Sequence, residues 1–134
     1  MSAKLLNIGE AAEATGVSAK MIRHYEAAGL ITAAARSGSG YRLYGEQDLR
    51  RLRFVRHARD LGFSIGQIAE LLSLWQDKHR SSSKVKQMAQ QHIAALEQKI
   101  LAMQTMKTQL QQLAEVCHGD ELPDCPILDK LAAD

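Results

Sequence analysis

The chain has 134 residues, 46% of them apolar and 24% charged, which suits one domain or a small domain with an appendage and excludes wholesale disorder. Aromatics make up 4%, low for a sheet-rich fold, so the chain reads as mainly α. No run has the length and apolarity of a signal-peptide core or a membrane span, so a cytoplasmic protein with no membrane association and reduced thiols is expected. The net charge of +2 is unevenly placed: residues 1–60 carry ten Lys/Arg against six Asp/Glu, and residues 61–134 carry seven against nine.

Two short helices come first. Ile8, Ala11, Ala12 and Thr15 recur at helical spacing, and Gly16 stops the helix. Ser18 can cap a second helix running to Ala28, with Val17, Met21, Ile22 and Tyr25 on its inner face and Gly29 at its end. Two such helices joined by a tight glycine turn have the helix-turn-helix layout. "RSGSG" then turns the chain and "YRLY" alternates as a strand does, so a short hairpin is expected with Arg36 and Arg42 flanking its tip. It is the natural place for a wing.

A third helix follows Gly45, with Leu49, Leu52, Val55, Ala58 and Leu61 as its apolar set. Ser64 caps a fourth, carrying Ile65, Ile68, Leu71, Leu72 and Trp75. Seven arginines fall within residues 36–59; the planar guanidinium fork binds phosphate oxygens bidentately, so this run favours nucleic acid over a merely solvated face.

"QDKHRSSS" is a polar break. From Ser82 to Val116 there is neither Gly nor Pro, and one long helix is expected. Ala89, Leu96, Met103, Leu110 and Cys117 stand seven apart, with Ile93, Ile100 and Ala114 as a companion row broken by Lys107. A heptad seam of this length needs a partner helix. We read it as an antiparallel homodimer, although the repeat itself does not set the polarity.

The segments "MIRHYEAAGL" and "GYRLY", within "NIGEAAEATGVSAKMIRHYEAAGLI" and the arginine-rich stretch after it, resemble the MerR family of bacterial transcription regulators. The tail "CHGDELPDCPI" resembles its copper-efflux (CueR-like) branch, which answers Cu(I), Ag(I) and sometimes Au(I). The resemblance implies a winged helix-turn-helix, a long dimerisation helix in an antiparallel coiled coil, and a C-terminal metal-binding loop with a short helix. It implies a homodimer on a palindromic operator in double-stranded promoter DNA. Metal binding would then kink and undertwist the DNA so that RNA polymerase engages the promoter and copper-efflux genes are activated. Carried onto this chain, it places Lys20, Arg23 and Tyr25 of the second helix near the DNA, Arg36, Tyr41, Arg42 and Tyr44 of the wing on the backbone, and Arg59 at a further phosphate.

The implied division is 1–76 for DNA binding, with a wing at about 30–44 and helices at about 46–61 and 64–76. Residues 77–81 would be a linker, 82–116 the dimerisation helix, and 117–134 the metal loop and C-terminal helix.

Cys117 and Cys125 are the two cysteines of the chain. A disulfide, half a zinc site, simple packing and a complete two-sulfur site are the readings to weigh. Structural zinc takes four ligands, whereas soft thiolates favour Cu(I) and its heavier congeners, d¹⁰ ions that accept two ligands. In the resembled family the partner's long helix begins beside this loop. Here that start supplies Ser82, where divalent-metal members place a third cysteine, and Lys86 one turn in. Ser82 could equally be the helix N-cap, and Lys86 a solvated side chain. His118 lies beside the first thiol, at a position two-coordinate sites do not require.

Two other regulators fit the same scaffold, a thiol redox sensor and a divalent-metal sensor. The acidic neighbour Asp124 disfavours peroxide reactivity at Cys125, and Ser82 disfavours the divalent reading. No nucleophile–base pair or phosphate loop is present, so the chain is not expected to be an enzyme.

Overall fold

The computed structural model describes residues 4–33 and 35–134; Ala34, inside the span expected for the wing, lies outside the described residues. Among the described residues, six helices and a two-stranded sheet follow in the order α1 (Ile8–Thr15), α2 (Ala19–Ala27), β1 (Ala35–Arg36), β2 (Arg42–Leu43), α3 (Glu46–Asp60), α4 (Ile65–Gln76), α5 (Ser82–Val116) and α6 (Pro126–Ala132). The chain divides into two compact units, residues 1–85 and 86–134.

In the first unit each short helix carries its own stop and start signals. Asn7 caps α1 in a reciprocal box with Glu10: the Glu10 N–H donates to Asn7 Oδ1 at 2.8 Å and the Asn7 N–H to Glu10 Oε1 at 3.1 Å. α2 and α4 start the same way, with Ser18 Oγ accepting from the Met21 N–H and Ser64 paired reciprocally with Gln67. The interior gathers Ala11, Val17, Ile22, Tyr25, Leu30, Ile31, Tyr44, Leu52, Val55, Ala58, Phe63, Ile68 and Leu72. It lies between the helix-turn-helix and the α3–α4 pair.

β1 and β2 pair antiparallel, Ala35 opposite Leu43 and Arg36 opposite Arg42. The sequence pattern does not reveal that the segment before α1 joins them. Leu6 and Tyr44 exchange backbone hydrogen bonds of 2.8 and 2.7 Å, which ties the base of the wing to the chain's first helix.

Leu61, expected on the apolar set of α3, is 65% exposed. Steps of three fall short of the helical turn, so Leu61 sits about 120° around the helix from Val55. It also follows the last residue of α3, whereas Phe54, on the same side two turns earlier, is half-buried against the core and stacks on Trp75 of α4 with ring centroids 4.7 Å apart.

After α4 the chain remains ordered by local bonds. The Arg80 guanidinium donates to the Trp75 and Asp77 carbonyls at 3.1 and 3.2 Å, closing the C-terminus of α4. Ser81, rather than Ser82, is positioned as the cap of α5, its Oγ accepting from the Ser83 N–H at 3.2 Å.

In the second unit α5 leaves Ile93, Leu96, Ile100, Met103 and Leu110 exposed. His92 on the same helix is buried, at 8% exposure. α5 and α6 together border a cleft of about 710 Å³ lined by Met106, Leu110, Leu113 and Leu131 among others.

Candidate nucleic-acid interface and thiol site

The first unit presents a basic groove of about 520 Å³. Arg23 from α2, Arg36, Tyr41 and Arg42 from the wing, and Asn7 and Ile8 from the start of α1 line it. Four of the eight residues expected at the DNA therefore share one concave surface. Tyr41 is 73% exposed at the hairpin tip, and the Arg36 guanidinium donates to the Gly40 carbonyl across that tip at 3.0 Å. Lys20 is exposed on α2. Arg59 is exposed on α3 and lines a second groove with Ser18, Met21 and Arg56.

Two expected contacts are placed elsewhere. Tyr44 is fully buried, and its hydroxyl donates to Glu26 Oε2 at 3.4 Å. Its position next to the hairpin, which suggested the backbone, is instead the point where the wing plugs into the core. Tyr25 is 5% exposed and packs with the core; it borders the second groove, but its ring serves the inner face of α2.

The arginine run divides by role, a distinction composition could not make. Arg53 and Arg56 reach from α3 to the last carbonyls of α1, Ala14 at 3.4 Å and Thr15 at 2.9 Å. Arg50 lies over the Trp75 ring, 5.6 Å from its centroid. Gln76, with its amide oxygen turned toward Arg51, accepts from that guanidinium. These four hold helices together. Arg23, Arg36 and Arg42 face the groove.

The thiol site is built at the far end of α5. Cys117 follows the last helical residue, and its N–H donates to the Ala114 carbonyl at 3.2 Å. Gly119, at φ +63°, turns the chain into the left-handed region that glycine tolerates. Asp120 Oδ1 then accepts from the Leu122 N–H at 2.9 Å in a side-chain-closed turn. Cys125 is the N-cap of α6, with Pro126 in its first turn and its carbonyl accepting from Asp129 at 3.0 Å. Both thiols are free and half-buried. Among the described residues no group of three or more His, Cys, Asp or Glu side chains is gathered as a metal site. Ser82 and Lys86 are both exposed on the first turns of α5.

A helix-turn-helix, a wing beside it and a long helix with an open apolar seam define a DNA-binding transcription regulator rather than an enzyme. The chain belongs to the MerR family: it matches the MerR HTH family regulatory protein over residues 6–75 and the family MerR, DNA binding over residues 49–113. It is 58% identical to heavy metal-dependent transcription regulator 2 of Rhizobium meliloti, over 95% of this chain and 86% of that protein. It is 42% identical to the HTH-type transcriptional regulator CueR of Escherichia coli O6:H1, over 95% and 94%. Among solved structures it resembles the transcription regulator PbrR691 from Ralstonia metallidurans CH34 in complex with lead(II), with a TM-score of 0.80 and 30% identity over 95% of this chain and 99% of that one. It is a metal-responsive transcription regulator of the MerR type. Among the described residues no helix is long and apolar enough to cross a membrane.

Proposed function

We propose that this regulator answers Cu(I), with Ag(I) and Au(I) as chemical equivalents, through the thiolates of Cys117 and Cys125. The observation that carries this reading is the loop itself: two free, half-buried cysteines bracket a glycine turn between the end of α5 and the start of α6. Two soft sulfurs suit a soft monovalent ion, while zinc would need two more donors. The bound ion supplies a positive charge that offsets the two thiolates and leaves one net negative charge. Ser82 and Lys86 of the partner protomer's α5 would line the site, the lysine adding compensating charge and the serine leaving no third thiolate. The likeness to the CueR regulator supports the same choice.

Residues 1–76 would bind a palindromic operator, Lys20, Arg23, Arg36, Tyr41, Arg42 and Arg59 meeting the DNA. Residues 77–81 would link them to the dimerisation helix at 82–116, and 117–134 would hold the metal. An antiparallel homodimer in the cytoplasm would distort the promoter when the thiols are ligated, so that RNA polymerase transcribes copper-efflux or detoxification genes. Phosphate contacts set the register of such a complex, and base edges and DNA deformability set its sequence.

The lead(II)-bound fold neighbour supports the divalent reading. A titration of reduced protein, read by transcription in vitro under anaerobic conditions, separates the readings. Activation by Cu(I) with two-coordinate sulfur in X-ray absorption is expected, and a Cu(I) chelator should abolish it. Activation by Pb(II) or Zn(II) but not Cu(I) would overturn the reading. So would activation by oxidant without metal, which is the behaviour of a thiol redox sensor.

A further inference from the structure

One carboxylate joins α2 to the wing. Glu26 stands near the end of α2, 15% exposed at its side chain. Its Oε2 pairs with Arg42 Nε at 2.8 Å and accepts from the Tyr44 hydroxyl at 3.4 Å. Its Oε1 accepts from the Ala33 N–H at 3.3 Å. Three groups from the wing segment, one before the hairpin, one on β2 and one just after it, thus converge on one side chain of α2, the helix expected near the DNA. The ion pair uses Nε of Arg42, and the two terminal nitrogens of the fork lie outside that bond. Arg42 is 42% exposed and lines the basic groove with Arg23, Arg36 and Tyr41.

An acidic side chain this close to the groove repels phosphate, so its simple electrostatic effect opposes DNA binding. Its geometry does the reverse. A long arginine on a two-residue strand loses much rotamer freedom when it meets a phosphate, and a partner that holds its stem beforehand removes part of that cost.

We propose that Glu26 is a positioning residue that fixes Arg42, and with it the wing, relative to α2 for contact with the DNA backbone. The proposal rests on the reading that Arg42 faces the DNA. The two explanations of Glu26 differ in sign. A group acting only through its charge gives tighter binding when neutralised, and a positioning group gives weaker binding.

The test is fluorescence anisotropy of the full-length protein on a labelled mixed-sequence duplex, because phosphate contacts do not depend on sequence. Glu26→Gln keeps one carbonyl acceptor, for the Ala33 N–H, but puts an amide NH2 where Oε2 met Arg42 and the Tyr44 hydroxyl, and so loses the ion pair. It is expected to weaken binding about fivefold or more and to lower the slope of log K against log salt by about 0.9, one phosphate's share. A loss of fold stability alone would leave that slope unchanged. Arg42→Gln is expected to act alike, and the double variant to bind no more weakly than Arg42→Gln alone. Should Glu26→Gln fail to fold, Glu26→Asp keeps the charge, draws it back by one methylene, and is also expected to weaken binding. Unchanged or tighter binding by Glu26→Gln, or a double variant in which the two losses multiply, overturns the positioning role. If Arg42→Gln itself binds normally, the reading of Arg42 as a DNA contact falls with it. If Arg42→Gln binds weakly and Glu26→Gln does not, only the positioning role falls.

Discussion

The Arg56 guanidinium donates to the Thr15 carbonyl at 2.9 Å, through the space that a Cβ on Gly16 would occupy. Gly16 ends α1 at φ +74°, with its N–H bonded to the Ala12 carbonyl. The turn of the helix-turn-helix is therefore held by a third helix and depends on one hydrogen-only side chain. Gly16→Ala should destabilise the protein by about 1–3 kcal/mol, since it adds left-handed strain to a collision with the guanidinium. Denaturant unfolding measures this, and an unchanged midpoint would contradict the described turn.

Tyr44 makes the wing sensitive to alkali. Burial first, then the nearby Glu26 carboxylate, raises its hydroxyl above the ordinary value of 10.0, with Arg42 acting the other way. The folded pKa exceeds the unfolded one, so the contribution is complete below the unfolded value and is lost as pH rises through the folded one. Wild type should lose stability more steeply than Tyr44→Phe above pH 10.0. Parallel stability curves for the two proteins would count against a buried, neutral Tyr44.

The groove predicts which side chains carry salt dependence. Arg23→Ala and Lys20→Ala should each weaken duplex binding and reduce the slope of log K against log salt by about 0.9. Tyr25→Phe and Tyr44→Phe should leave that slope alone, because both rings belong to the core. A slope insensitive to Arg23 and Lys20 would remove α2 from the interface.

The exposed seam of α5 predicts its own disruption. Burying each of Ile93, Ile100 and Leu110 is worth roughly 1.5–3 kcal/mol, which a lone helix does not gain. The double substitution of Ile100 and Leu110 to lysine should shift the protein to monomer in analytical ultracentrifugation, with residues 1–85 still folded by circular dichroism. A dimer of undiminished affinity would place the interface elsewhere.

Cys117→Ser and Cys125→Ser should each retain operator binding and abolish metal-dependent transcription, read side by side in gel shift and transcription in vitro. Loss of DNA binding in either variant would show that the thiol is structural.

Elements were legible in this chain wherever a local signal sufficed. Ser18 and Ser64 caps, Gly16 and Gly29 stops, and the unbroken run from Ser82 to Val116 are local signals, so order along the sequence carries them. The two cysteines and the glycine turn between them were legible for the same reason. Periodicity failed at Leu61, which lies past the end of α3 and beyond the helices packed against it. Residue type could not separate Arg53 and Arg56, which close α1, from Arg23, Arg36 and Arg42, which line the groove. It also could not reveal that Tyr44 turns inward while Tyr41, three residues earlier, stays in solvent. Those assignments depend on which segments meet: Leu6 pairing with Tyr44, α3 crossing the end of α1, and Glu26 reaching the wing. Contacts between residues distant along the chain have no local signature, and only the packed tertiary structure decided them.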